Sequence, residues 1–271
     1  MTAIPVMIAS VVWANKLSLR YTLQDRVYTN LSNNLRFVES GDLDTLLTHY
    51  QLTAKQTPVR SFNWHELKTG LNNQEWIDSA NVYLDANNDL HIVYRQRQPH
   101  VRIVETDNPE GGYYLDEEAN RILLSDKFLV RVPVATMPLL KQNNIDKQVL
   151  LDVVKISDAI LLDSFWRAAC TQLDIRSNGE IQMIPAMGQQ VIRLGNADQI
   201  ENKLARLTLF YQQGYKTIRW SLYDEIDARF AGQIVGRNTH GKVLSIDPYD
   251  PKANKLLADS NQTKTPLKKL N

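Results

Sequence analysis

The run SANVYLDANNDLHIVYRQRQP, Ser79–Pro99, is where the hydrophobic period of the chain changes. Ala80, Val82 and Leu84 alternate with polar or amphipathic neighbours, and after DANND the residues Leu90, Ile92 and Tyr94 alternate on the return. Alternation at every second residue puts one set of side chains on one face of a pleated strand. Asparagine and aspartate tolerate the backbone of a tight turn. The run therefore predicts a β-hairpin with one buried face. Just upstream the period is helical. In SFNWHELKTGLNN, Asn63 is an N-cap, Glu66 stands three residues on as in a capping box, and Leu67 and Leu71 form a stripe. In SGDLDTLLTHY, Ser40 is the expected N-cap, with Leu43, Leu46 and Leu47 on one face. DRVYTNL, Asp25–Leu31, reads as a strand. The order strand–helix–helix–strand–strand over residues 25–97 makes a compact α+β module.

Downstream, HVRIVE, GGYYLD and RILL read as short strands, and Asp116–Glu118 form the turn between the last two rather than a carboxylate site. A helix follows over Ile145–Leu162, with Val149, Leu150, Val153, Ile156 and Ile160 inward; Asp163 caps a short helix in DSFWRAAC. TQLDI, EIQMIP and QQVIRLG are strands. In the helix Ala197–Gln213, Ile200, Leu204, Leu207 and Phe210 face inward, and Lys203, Arg206 and Gln213 are expected outward. IRWSLYDEIDARFAGQIVGR supplies strand runs to Arg237, and from Ile246 onward Pro, Asp, Asn and Lys dominate. The fold class is α+β: a small βααββ module, then a β-rich domain with a mixed or antiparallel sheet and packing helices. The expected boundaries are 1–22 for an anchor and juxtamembrane segment, 23–100 for the module, 101–240 for the β-domain and 241–271 for a polar tail without order.

With 31 basic against 30 acidic residues, the net charge is +1, which lacks the basic excess of a nucleic-acid binder. Cys170 is the single cysteine, so no internal disulfide forms, and it reads as a small hydrophobe. Ala3–Ala14 carries no charge. As a helix this run spans about 18 Å against a bilayer core of about 30 Å. It can be a signal peptide without its basic region, a buried helix, or the outer part of a membrane anchor that starts upstream of Met1. With no Lys or Arg ahead of it, the third reading is preferred.

The sharpest catalytic hint is QIVGRNTHGKVLS, Gln233–Ser245, where Gly236, Gly241 and Lys242 match a phosphate-binding loop. Position 243 is Val, without the hydroxyl that holds Mg²⁺, and VLSIDPYDP is extended and proline-broken where a helix should begin. His49, His65, His91, His100 and His240 are scattered, without metal-ligand spacing. No cofactor, metal, nucleic acid or small-molecule substrate is expected, and the weight shifts to an interaction protein.

EWIDSANVYLDANNDLHIVYRQRQPHVRI, YYLDEEANRILLS, FWRAACTQLDIRSNGEIQMIPAMGQQVIRLG, KLARLTLFYQQG and YDEIDARFAGQIVGR occur in that order. The arrangement resembles the bacterial cell division family FtsQ/DivIB, in its Bacteroidetes-like branch. The likeness covers roughly Asp25–Arg237. Asn120 stands where that family often has glycine, and asparagine tolerates the left-handed conformation. The resemblance implies a non-enzymatic scaffold on a single-pass inner-membrane anchor, with its bulk in the periplasm at the septum. It implies that the module is a polypeptide-transport-associated (POTRA) one, and that the last strand docks FtsB. FtsB is joined to FtsL, and septal peptidoglycan synthesis by FtsW and FtsI is thereby controlled.

On that reading Ile226, Ala228 and Phe230 alternate to one face, Gly232 allows a bend, and Gln233–Val235 form an edge strand open to β-augmentation. The expected partner-binding residues are Arg229, Phe230, Gln233, Ile234 and Val235. A proline at Ile234 then abolishes docking and spares the fold. The plainer reading makes Ile226–Phe230 core strand and Arg229 merely exposed. A rival is a POTRA-containing factor in outer-membrane protein assembly or secretion, disfavoured by the two helical stretches and polar tail where a barrel would follow.

Overall fold

The computed structural model describes residues 21–32, 34–59, 62–106, 108–138, 145–214, 223–238 and 243–246. They fall into two units: one holds the described residues up to Gln98 with Ile122–Val130, the other Pro99–Arg121 and those from Arg131 on. The apolar run Ala3–Ala14 lies outside the described residues. Among those described, no helix is long and apolar enough to cross a membrane.

The first unit contains β1 (Arg26–Asn30), α1 (Ser40–His49), α2 (Trp64–Asn72), β2 (Ile77–Leu84) and β3 (Leu90–Gln96). Its three-stranded sheet is ordered β1–β3–β2, with β1 parallel and β2 antiparallel to β3. A parallel neighbour requires a crossover, which the two helices supply. Ala80, Leu90, Ile92 and Tyr94 are buried, as are Leu43, Leu47, Leu67 and Leu71 of the helices. Asn88 takes the left-handed turn conformation, at φ 65°. Asn63 accepts the Glu66 amide at 3.2 Å, as a cap should. At α1 the cap is Glu39 rather than Ser40, which is the first helical residue. Asp42 makes the difference, because its carboxylate reaches back to the Glu39 amide at 3.0 Å. Gln96, a polar residue in a buried strand position, donates to the carbonyls of Leu35 and Val38 and accepts the Val38 amide.

The later elements are β4 (Val101–Glu105), β5 (Asn108–Leu115), β6 (Arg121–Leu123), β7 (Val134–Met137), α3 (Lys147–Leu162), α4 (Ser164–Ala169), β8 (Cys170–Ile175), β9 (Ile181–Pro185), β10 (Val191–Gly195), α5 (Ile200–Gly214), β11 (Glu225–Asp227), β12 (Ile234–Arg237) and β13 (Val243–Ile246). Their strands form a ten-stranded sheet in the order β13–β12–β11–β10–β9–β8–β7–β4–β5–β6. The pairs β4–β7, β7–β8 and β10–β11 are parallel. The pairs β4–β5, β8–β9, β9–β10, β11–β12 and β12–β13 are antiparallel. The turn between β5 and β6 puts its positive φ on Ala119, at 60°, and not on Asn120, whose side chain instead binds the Asp116 carboxylate.

One row in register crosses this sheet: Gly236, Ile226, Ile192, Met183, Leu173, Ala135, Ile103 and Tyr113. All are buried. They share a core with Leu150, Val153, Ile156 and Ile160 of α3, Trp166 of α4, and Ile200, Leu204, Leu207 and Phe210 of α5. The neighbouring row is polar, running through Asp227, Arg193, Gln182, Asp174 and Thr136. The sheet thus has an apolar face under helices and a polar face, the usual division for largely antiparallel sheets. Lys203 and Arg206 do not lie outward on α5: they are buried, and their head groups reach main-chain carbonyls. The side chain of Gln213 lies outside the described residues.

Candidate docking edge

The functional expectations converge on the chain from β11 to β13. β11 is only three residues long, and Ile226 and Ala228 are fully buried. Phe230 falls past the end of the strand and is 41% exposed, so the inward alternation stops at Ala228. Gly232, at φ 76°, makes the bend that the sequence assigns to it. Gln233 is half-buried and leads into β12.

The free edge is not where the sequence reading puts it. β12 pairs with β11 on one side and β13 on the other, with Val235 opposite both Asp227 and Ser245. Ile234 and Val235 are buried in this interior strand, and a proline at Ile234 would strike the sheet itself. Among the described residues the end strand is β13, inside the segment expected to be tail, and β12 is its neighbour in the sheet. Four residues after the polar sequence RNTHGK give too short an apolar run to announce a strand. The other end strand is β6. There the Leu123 amide donates to Glu75 Oε1 at 2.6 Å, and the Leu123 carbonyl accepts the Trp76 indole at 3.1 Å.

The phosphate-loop resemblance is resolved by the same topology. Gly236 lies inside β12, and Val243 opens an antiparallel strand instead of a helix. Gly241 and Lys242 lie outside the described residues. A Cβ at Gly236 would stand 2.7 Å from Cδ1 of Tyr223, so the missing side chain admits the ring.

The polar face beside this edge carries a ladder of alternating charge. Arg193 binds Glu180 through Nε at 2.6 Å and Nη2 at 2.8 Å. Arg229 meets Asp227 at 2.7 Å and Glu180 at 3.3 Å. Arg237 meets Glu225 at 3.1 Å. Burial pushes the Asp227 carboxyl up, but hydrogen bonds from the Arg229 side chain and amide, with the Arg229 and Arg193 charges, hold it below the ordinary aspartate value. The Arg193 hydrogen bond is the main cause of a lowered pKa at Glu180. Arg229, expected as a contact residue, is thus already paired. Its guanidinium also lies 5.9 Å from the Phe230 ring centroid. Of the five expected residues, Arg229 and Phe230 are presented on the turn, and Ile234 and Val235 support the edge from inside.

Other chemistry is poorly provided for. Burial pushes the Cys170 thiol up to about 12, which leaves almost no thiolate at neutral pH. His100 contacts Asp158 at 2.7 Å, yet Ser157 donates to the His100 carbonyl and not to its ring, so the three tie α3 to β4 and form no nucleophilic triad. Among the described residues no group of three or more His, Cys, Asp or Glu is placed to hold a metal.

In comparison with known families, the model described as FtsQ/DivIB, C-terminal related, matches residues 98–237, from the residue just before Pro99 to the last residue of β12. No curated protein matches the chain.

Proposed function

Because the chain belongs to the FtsQ/DivIB, C-terminal related, family, we propose that it is a non-enzymatic cell-division scaffold that docks a partner's extended segment on the outer edge of β13. The observation that carries the reading is that, among the described residues, β13 ends the sheet, whereas β6 at the other end has its Leu123 main chain occupied. Edge amides and carbonyls pair with an incoming strand, and nearby side chains select it. Ile246 stands opposite Ile234, which puts the end of β13 near the turn bearing Arg229 and Phe230. In this reading those two flank the guest, and Gln233, Ile234 and Val235 carry the strand on which β13 rests.

The guest is an FtsB-like protein bound to an FtsL-like coiled-coil partner, through which FtsW and FtsI are controlled. The βααββ unit is the POTRA-type module and serves localisation. The bulk of the chain is periplasmic, on a single-pass anchor at the septum. Support comes from the family match and from the βααββ order ahead of a mixed sheet.

Proline substitutions in β13 test the docking. Adjacent residues of a strand point their amides to opposite sides. Of Leu244→Pro and Ser245→Pro, one therefore strikes the bond to β12 and the other the free side. The variant that keeps the wild-type melting temperature should no longer co-purify two small coiled-coil membrane proteins from cells. Full recovery of both by that variant overturns the docking edge. Recovery of barrel-assembly factors in their place, by the wild-type chain, overturns the division reading.

A further inference from the structure

Lys203 and Arg206 stand one turn apart on α5, 6% and 5% exposed. They face the carboxyl ends of β10 and β11, which lie side by side because the two strands are parallel. The Lys203 ammonium donates to the Leu194 and Asn196 carbonyls, each at 2.9 Å, and to Asn196 Oδ1 at 3.3 Å. Arg206 Nη2 donates to the Ala228 carbonyl at 3.1 Å and the Phe230 carbonyl at 3.2 Å. Among the described residues, Arg206 Nε is buried without a partner.

A buried cation held by neutral carbonyls is costly beside a packed apolar side chain of similar size. What the guanidinium supplies in exchange is geometry. One nitrogen fixes two carbonyls placed two residues apart, on either side of Arg229. From the opposite side, Asp227 Oδ1 accepts the Arg229 amide at 3.1 Å. The turn is therefore gripped from the core and from the polar face at once.

We propose that Arg206 is the positioning residue of the docking turn: it presets the backbone that offers Arg229 and Phe230 beside β13. The inference rests on the docking reading above. Lys203 serves as the internal comparison, since it is equally buried and equally bound to carbonyls, but those of Leu194 in β10 and Asn196 in the β10–α5 connection.

The test compares full-length Arg206→Met, Arg206→Lys and Lys203→Met by hydrogen exchange of residues 228–233 and by capture of the FtsB-like and FtsL-like proteins from cells. Loss of preorganisation in Arg206→Met should weaken capture about tenfold and speed exchange in the turn by a similar factor. Arg206→Lys, with one ammonium for the same carbonyls, should fall between. Lys203→Met should lower the melting temperature and leave turn exchange and capture unchanged. Unchanged turn exchange in Arg206→Met overturns the proposal, and so does unchanged capture despite a loosened turn. If the β13 prolines abolish capture and Arg206→Met does not, this proposal fails alone. If the prolines have no effect, the docking reading itself has failed.

Discussion

At the residue scale, Gly236 has one neighbour that explains it. The Tyr223 ring occupies the space of its missing side chain, and a methyl group there would have to move an aromatic ring packed in the core. Gly236→Ala should destabilise the protein by about 2 kcal/mol, within the usual cost of overpacking. Urea denaturation of Gly236→Ala, and of the double variant with Tyr223→Leu, checks this: the second change should recover part of the loss, because the two residues share one space. In sequence the same glycine looks like part of a phosphate loop, since spacing alone cannot show a ring arriving from residues earlier. Asn63 and Asn88 were legible because their roles are local, a cap and a turn. Lys203 and Arg206 were not. A helical period sends long cations outward, and carbonyls just past the ends of β10 and β11 bring these two in.

At the scale of elements, legibility follows length and alternation. The β2–β3 hairpin alternates over enough residues to fix both its type and its buried face. β7 and β13 have four residues each, too few for alternation to stand out from a loop. β11 has three, which is why the inward pattern read through Phe230 ends early. Caps do announce short elements. Asp163 closes α3 and opens α4, accepting the amides of Phe165 at 2.8 Å and Trp166 at 3.1 Å. Asp163→Ala removes both bonds and should lower stability by about 1 kcal/mol. The check is a denaturant midpoint that falls without a change in slope, since the surface exposed on unfolding is nearly the same.

For the molecule as a whole, the charge ladder ties stability to pH. Asp227 and Glu180 have folded pKa values below their ordinary ones. A depressed carboxylate contributes stability that is fully present above the unfolded value and is lost as pH falls through the folded one. Stability should therefore decline below the ordinary carboxylate range. Asp227→Asn should be weaker by about 2 kcal/mol at pH 7, the scale of hydrogen bonds to a charged group. Its stability should also change less between pH 7 and pH 3 than that of the wild type, as followed by urea midpoints at each pH. Fold class was legible at this scale, but strand order was not. β7 enters between β4 and β8 by parallel pairing on both sides, and only long-range contacts decide such an insertion.

The unequal ends of the large sheet have a consequence for stoichiometry. At β6 the Leu123 main chain is occupied, and among the described residues no strand follows β13 in the sheet. On the docking proposal, a ribbon occupied at one border takes one added segment and does not concatenate head to tail into fibres. Binding should saturate at a single guest per chain, however high the concentration of either.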